Sequence, residues 1–172
     1  METSRFGCFH TGAIVFILFV VIAYAVNIIQ FKQDCSGYLK QAADANTVEL
    51  AMERLGNAIE YAEKNGLTDG YTSVFYNTED ENVGFWYQNL KACYNELEEC
   101  KNGTQLEKSN VLMKVRESLT DNDKDGTSLT YPDGLSRYPY NVWWGVAEII
   151  AGLFLYFLFI NKKIKITTKI TT

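Results

Sequence analysis

A single carboxyl group, Glu148, interrupts the apolar run from Val142 to Ile160. An ionisable side chain about six residues inside such a run is costly in hydrocarbon, so it is expected to face protein and to hydrogen-bond there. A second run, Gly12 to Phe31, puts Tyr24 and Asn27 at the matching depth of an antiparallel partner, and both can hydrogen-bond a carboxyl group. Gly145, Ala151 and Gly152 offer small surfaces for close helix approach. The chemistry expected of Glu148, Asn27 and Tyr24 is intramembrane docking, within the chain or to another membrane subunit. The alternative is a path for protons or ions.

Thiols form the next candidate. Cys35, Cys93 and Cys100 lie in the polar middle of the chain, and Cys8 lies before the first apolar run. Cys93 and Cys100 share one expected helix and sit about 10.5 Å apart along its axis, beyond the roughly 7 Å between the Cα atoms of a disulfide. A first helix rising from the membrane and a second one descending would bring Cys100 back to the level of Cys35. A Cys35–Cys100 disulfide is therefore the expected bridge in an oxidising compartment. Three reduced thiols packed as small apolar groups are the alternative.

Asp121-Asn122-Asp123-Lys124-Asp125-Gly126 resembles the opening of an EF-hand calcium loop, with oxygen ligands at alternate positions and glycine at the sharp turn. The resemblance covers six residues and then stops, because Pro132 stands where the bidentate glutamate belongs. It implies calcium as the one candidate cofactor, on Asp121, Asp123 and Asp125; a solvated acidic turn is the alternative. Catalytic signatures are missing. The only histidine, His10, precedes the first apolar run, no serine has an identifiable base, and zinc-type ligand spacing does not occur. An enzyme is not expected.

Tyr71, Phe75, Tyr76, Phe85, Trp86 and Tyr87 crowd one segment, either as core or as the wall of a pocket for a small ligand or peptide. Tyr138, Tyr140, Trp143 and Trp144 read as an interfacial belt. Asn102-Gly103-Thr104 is a glycosylation sequon, relevant in a eukaryotic secretory pathway. A sequence pI near 4.9 disfavours nucleic acid as a partner, since phosphate binding needs a basic patch.

The elements that must position these groups follow from periodicity. Each apolar run has the roughly 20 residues that a helix needs to cross a bilayer, where every backbone group must be satisfied within the segment. The expected order is a cytoplasmic tail at 1–11, a transmembrane helix at 12–31, an extracytoplasmic helical domain at 32–141, a second transmembrane helix at 142–161 and a basic cytoplasmic tail at 162–172. The fold class is then an all-α membrane protein, in which two transmembrane helices flank an antiparallel bundle of about three helices. The first bundle helix runs from about Lys32 to the Asn65-Gly66 stop, either unbroken or split by a capping box at Asn46 and Glu49. A second starts at Thr78 with Glu81 and carries Val83, Trp86, Leu90, Cys93 and Leu97 on one stripe, and a third starts at Thr104 with Glu107. Residues 120–141 lose the pattern and read as an irregular return loop.

Lysine placement orients the chain. Lys162, Lys163, Lys165 and Lys169 crowd the C-terminal tail, whereas the middle segment holds 19 acidic and 11 basic side chains. Both termini are therefore expected in the cytoplasm, with the acidic domain outside. Ala23-Tyr24-Ala25 could serve as a signal-peptidase site, but the apolar stretch continues to Phe31, so the segment is read as retained. Three functions compete. The first is an accessory or regulatory membrane subunit that binds another membrane protein, or a second copy of itself. A ligand-sensing module signalling through a partner chain is the second, because the tail beyond the second run is too short to fold. The third is an oligomeric pore or holin-like assembly.

Overall fold

The computed structural model describes residues 2–75, 77–123 and 126–170, with side chains at 11–75, 77–121, 126–157 and 159–160. The protein is mostly helical. In chain order its elements are α1 (Glu2–Phe31), a π turn (Lys32–Ser36), α2 (Gly37–Ala43), α3 (Val48–Lys64), α4 (Val83–Glu99), α5 (Gln105–Leu119), a hairpin of β1 (Thr120–Asp123) and β2 (Gly126–Leu129), and α6 (Asn141–Ile170). The helix expected to begin at Gly12 thus begins at Glu2, and the chain divides into two compact units, Met1–Val26 with Val142–Thr172, and Asn27–Asn141.

The first unit is a helix pair. Phe16 meets Phe154 edge-on at 5.8 Å and Tyr24 meets Trp144 at 6.0 Å, so α1 and α6 run antiparallel. Within this unit the shielded residues on α1 are Ala13, Phe16, Ile17, Val20 and Ala23, spaced at three and four positions as one helical stripe. Thr11–Ala43, 33 residues long, is the one stretch among the described residues long and apolar enough to cross a membrane. The apolar part of α6, Asn141–Phe157, is shorter, and the expected span at 142–161 extends onto residues with undescribed side chains.

In the second unit the first bundle helix is split. A π turn inserts one extra residue before α2, and the Gly37 N–H bonds the Lys32 carbonyl five residues back. A Cβ at Gly37 would lie 2.7 Å from that carbonyl oxygen, so the turn requires glycine. The helix then ends at Ala43, and Thr47 rather than Asn46 caps α3, its hydroxyl accepting from the Leu50 N–H at 3.3 Å. Gly66, at φ +70°, ends α3 as expected.

Antiparallel packing of α3, α4 and α5 builds the core. Ala51, Leu55, Ala58 and Ala62 of α3 are wholly buried, and the alanines let neighbouring helices come close. Leu90 and Leu97 of α4 and Val115 of α5 close over them. Each buried leucine stabilises the fold by about 1.5–3 kcal/mol relative to its exposed state. Asn82 caps α4 by accepting from the Phe85 N–H at 2.9 Å, while Thr78, the expected cap, donates to Glu81 at 2.6 Å in a preceding 3₁₀ turn. The Thr104–Glu107 capping box forms as expected at the start of α5.

The return segment departs from an all-α fold. Thr120–Leu129 is an antiparallel hairpin with Asp121 opposite Ser128 and Asp123 opposite Gly126. Beyond it Thr130 donates its N–H to the Leu119 carbonyl, the Tyr138 hydroxyl donates to the Asp69 carbonyl at 2.7 Å, and Asn141 donates to the Thr72 carbonyl. The last two bonds strap the return segment to the α3–α4 connection.

Glu63 of α3 accepts from the Tyr87 hydroxyl at 2.5 Å and from Lys91 at 3.4 Å on α4. The Tyr87 bond, then the Lys91 bond, holds the Glu63 carboxyl below its usual range, and the bond to Glu63 pushes the Tyr87 phenol up to about 12. The carboxylate's stabilising contribution is full above its unfolded value, about 4.3, and is lost as pH falls through the lowered folded one. For the phenol the contribution is full below about pH 10 and is lost as pH rises through about 12. Glu63→Gln is expected to flatten the acid limb of stability against pH and to return Tyr87 towards about 10, as read by denaturation and by NMR of ¹³C-labelled tyrosine. Leu97→Ala is expected to cost about 2–5 kcal/mol in the same denaturation assay.

Candidate functional site

Of the residues expected to form the intramembrane site, Glu148 and Tyr24 lie in the helix pair and Asn27 begins the second unit. The two ring pairs set a register in which Glu148 lies level with Val20 and Val21, about one turn from Tyr24. Glu148 is exposed on the flank of the α6 stripe formed by Trp144, Gly145, Ala147, Ala151 and Phe154, rather than buried in the helix pair as expected. Tyr24 packs edge-on against Trp144. Gly145 and Gly152 both have open space where a Cβ would stand, so helix approach does not rest on them as small surfaces.

Cys35, Cys93 and Cys100 are free thiols, and the expected Cys35–Cys100 disulfide is not formed. The split of the first helix explains this. Phe31, one turn before Cys35, meets Tyr61 near the end of α3 at 6.4 Å and Tyr131 at 5.2 Å. Cys100 lies near the α3 N-terminus, because Gly56 faces Tyr94 and α4 continues antiparallel from there. With Phe31 beside Tyr61 and Tyr38 under Arg54, Cys35 stands level with Asn57, so the two levels differ by roughly 10 Å at 1.5 Å per residue, still beyond the reach of a disulfide. Cys35 is fully buried, Cys93 nearly so with its thiol pKa pushed up by burial, and Cys100 is half-buried beside Gly103.

The calcium reading also changes. Asp121 and Asp123 lie in an extended strand paired with β2, whereas an EF-hand loop must wrap its ligands around the ion. Asp125 and the Asp123 side chain lie outside the described residues, as do Tyr76, the Cys8 and His10 side chains and those of the tail lysines. Among the described residues no three metal-ligating side chains cluster.

The aromatic segment divides by helical angle. Tyr87 turns to α3, Phe75 is exposed, and Tyr71 bridges Asn82. Phe85 and Trp86 instead line a cleft of roughly 280 Å³ between α4, the end of α5 and the hairpin. Asn82, Trp86, Asn89, Leu90 and Cys93 recur at three- and four-residue spacing and present one face of α4 to it. Leu129, Tyr131 and Pro132 form the far wall, which the Thr130–Leu119 backbone bond holds in place. Trp86 is 6 % exposed, and its Nε1–H has no acceptor among the described residues. Leaving such a donor unpaired costs about 1–3 kcal/mol. Sequence reasoning placed Phe85 and Trp86 but missed Tyr131 and the hairpin wall, because no local signal links residue 131 to residue 86. Tyr138, expected in an interfacial belt, is instead a strap to Asp69.

No protein-family model matches the chain, and no curated protein or solved structure matches it.

The burial order sets an order of thiol reactivity. A maleimide applied to the folded protein is expected to modify Cys100 first and Cys35 only after denaturation, as read by peptide mass mapping. A Cys35–Cys100 crosslink in the non-reducing map would overturn the placement of these helices.

Proposed function

We propose that this chain is a non-enzymatic, two-pass membrane protein, an accessory or regulatory subunit that acts by binding another membrane protein or a second copy of itself. The acidic helical domain stands outside the cytoplasm and both termini lie within it. One observation carries the reading: Glu148 is exposed on an otherwise apolar helix pair. Around it Val15, Phe19, Ile149 and Leu153 turn outward, between 62 and 68 % exposed, which suits hydrocarbon and not water. A carboxyl group displayed from such a surface is suited to hydrogen-bond a polar group on a neighbouring membrane helix.

The orientation rests on the lysine excess in 162–172 against the acidic middle segment. In a chain carrying Cys100→Ser, an impermeant thiol reagent on intact cells is expected to label Lys101→Cys and to spare Thr168→Cys; the reverse pattern would refute the orientation. Copurification tests docking. Glu148→Gln retains a hydrogen-bonding side chain and is expected to keep the partner, while Glu148→Leu is expected to lose about tenfold or more of it, the worth of one intramembrane hydrogen bond. Loss of activity in Glu148→Gln with partner recovery intact would replace docking by proton or ion coupling.

A further inference from the structure

The chain enters and leaves the helical domain at one end of the bundle. Phe31, near the start of this unit, packs edge-on against Tyr61 in the last turn of α3. Asn141, its last residue, donates to the Thr72 carbonyl in the α3–α4 connection, and Tyr138 is tied to Asp69 of the same connection. The α3 N-terminus and the α4–α5 turn stand at the other end, about 25 Å away along the 17 residues of α3 at 1.5 Å per residue. The two apolar runs stop at Phe31 and start at Val142. The α3–α4 connection therefore lies at the end of the domain where the chain passes between polar and apolar sequence.

The tip of that connection is apolar and packs against no core. Phe75 is 90 % exposed, more than any other large apolar side chain among the described residues, and Val74 and Tyr71 are exposed beside it in sequence. Gly70 to Thr78 carries no charged residue, although the middle segment is otherwise rich in them. Tyr140, next to Asn141, is exposed as well. Aromatic rings without a core to join settle at membrane–water interfaces, where an uncharged apolar segment loses contact with water at no cost in charge desolvation. The reach is sufficient. Thr72 is held against Asn141, and the three residues from Thr72 to Phe75 span at most about 11 Å, whereas the headgroup layer on each side of the hydrocarbon is roughly 5–8 Å deep.

We propose that the tip of the α3–α4 connection, Val74 and Phe75 with Tyr71, inserts into the headgroup layer of the bilayer that the two apolar helices cross, where Tyr140 joins it in an interfacial belt. The partner is the lipid surface itself, and the absence of charge on the tip suits zwitterionic lipid. The inference rests on the two-pass reading above and deepens it, giving the domain a third attachment to the membrane besides its two chain connections.

The test uses the full-length chain in phosphatidylcholine bilayer discs, which leave both faces open to solvent. Phe75→Trp is the reporter and Lys101→Trp, on the α4–α5 turn, is the control; both positions are exposed. The emission of the parent chain, from Trp86, Trp143 and Trp144, is subtracted from each. Lipid brominated near the top of the acyl chain is expected to quench the residue-75 signal about twofold or more and to leave residue 101 unquenched, while acrylamide quenches residue 101 about threefold more strongly than residue 75. Melting curves of both variants are expected to match the parent. A residue-75 signal open to acrylamide and untouched by brominated lipid, in discs where the parent's Trp143 and Trp144 are quenched, would overturn the insertion alone and leave the tip to water or to a protein partner. Parent emission unquenched by brominated lipid would overturn the two-pass reading, and the insertion with it.

Discussion

The reversal of the chain between Ala43 and Val48 is the constraint on which the domain depends. A helix ending at Ala43 leaves its last carbonyls without intrahelical donors. Arg116 of α5 donates its Nε–H to the Ala43 carbonyl at 2.9 Å, a charge-assisted bond between residues far apart in sequence. Thr47 restarts the chain as α3, and the wholly buried Val48 and Ala51 follow at once. Because α3 turns back on α2, Cys35 comes to lie beside the middle of α3 and Cys100 near its N-terminus. The same reversal makes α4 the third antiparallel element and not the second.

From that point packing is repetitive and polar contacts set the register. Lys91 and Tyr87 meet Glu63, Lys114 meets Glu96 at 2.6 Å, and Lys108 approaches Glu49 at 3.9 Å. These pairs are exposed, so each contributes little free energy. Their value is in selecting which turn of one helix lies against which turn of the next, while the buried leucines supply the stability. The hairpin closes the bundle's side and creates the cleft, since Leu129, Tyr131 and Pro132 would otherwise have no fixed position opposite α4.

Much of this was legible in the sequence because it is local. The glycine stop at Gly66, the capping box at Thr104 and Glu107, and the buried stripe of α4 depend on residues within a few positions of one another. The length and apolarity of the first run are likewise local, and they make Thr11–Ala43 a stretch able to cross a membrane. The hairpin was hidden. Asp121, Asn122 and Asp123 carry little strand propensity, and their pairing with β2 is selected by the strap that follows rather than by the strands themselves.

Composition and spacing by themselves determined that the chain is mostly helical, where most helices stop, and which faces of them are apolar, because burial of an apolar stripe is a period read along a single element. Only the tertiary structure decided the rest. Separation of Cys35 from Cys100, exposure of Glu148 at the level of Val20, and the meeting of Trp86 with Tyr131 all follow from which helix lies against which and in what register. That choice is made by long-range contacts such as Arg116 with Ala43 and Tyr138 with Asp69, and no local periodicity encodes them.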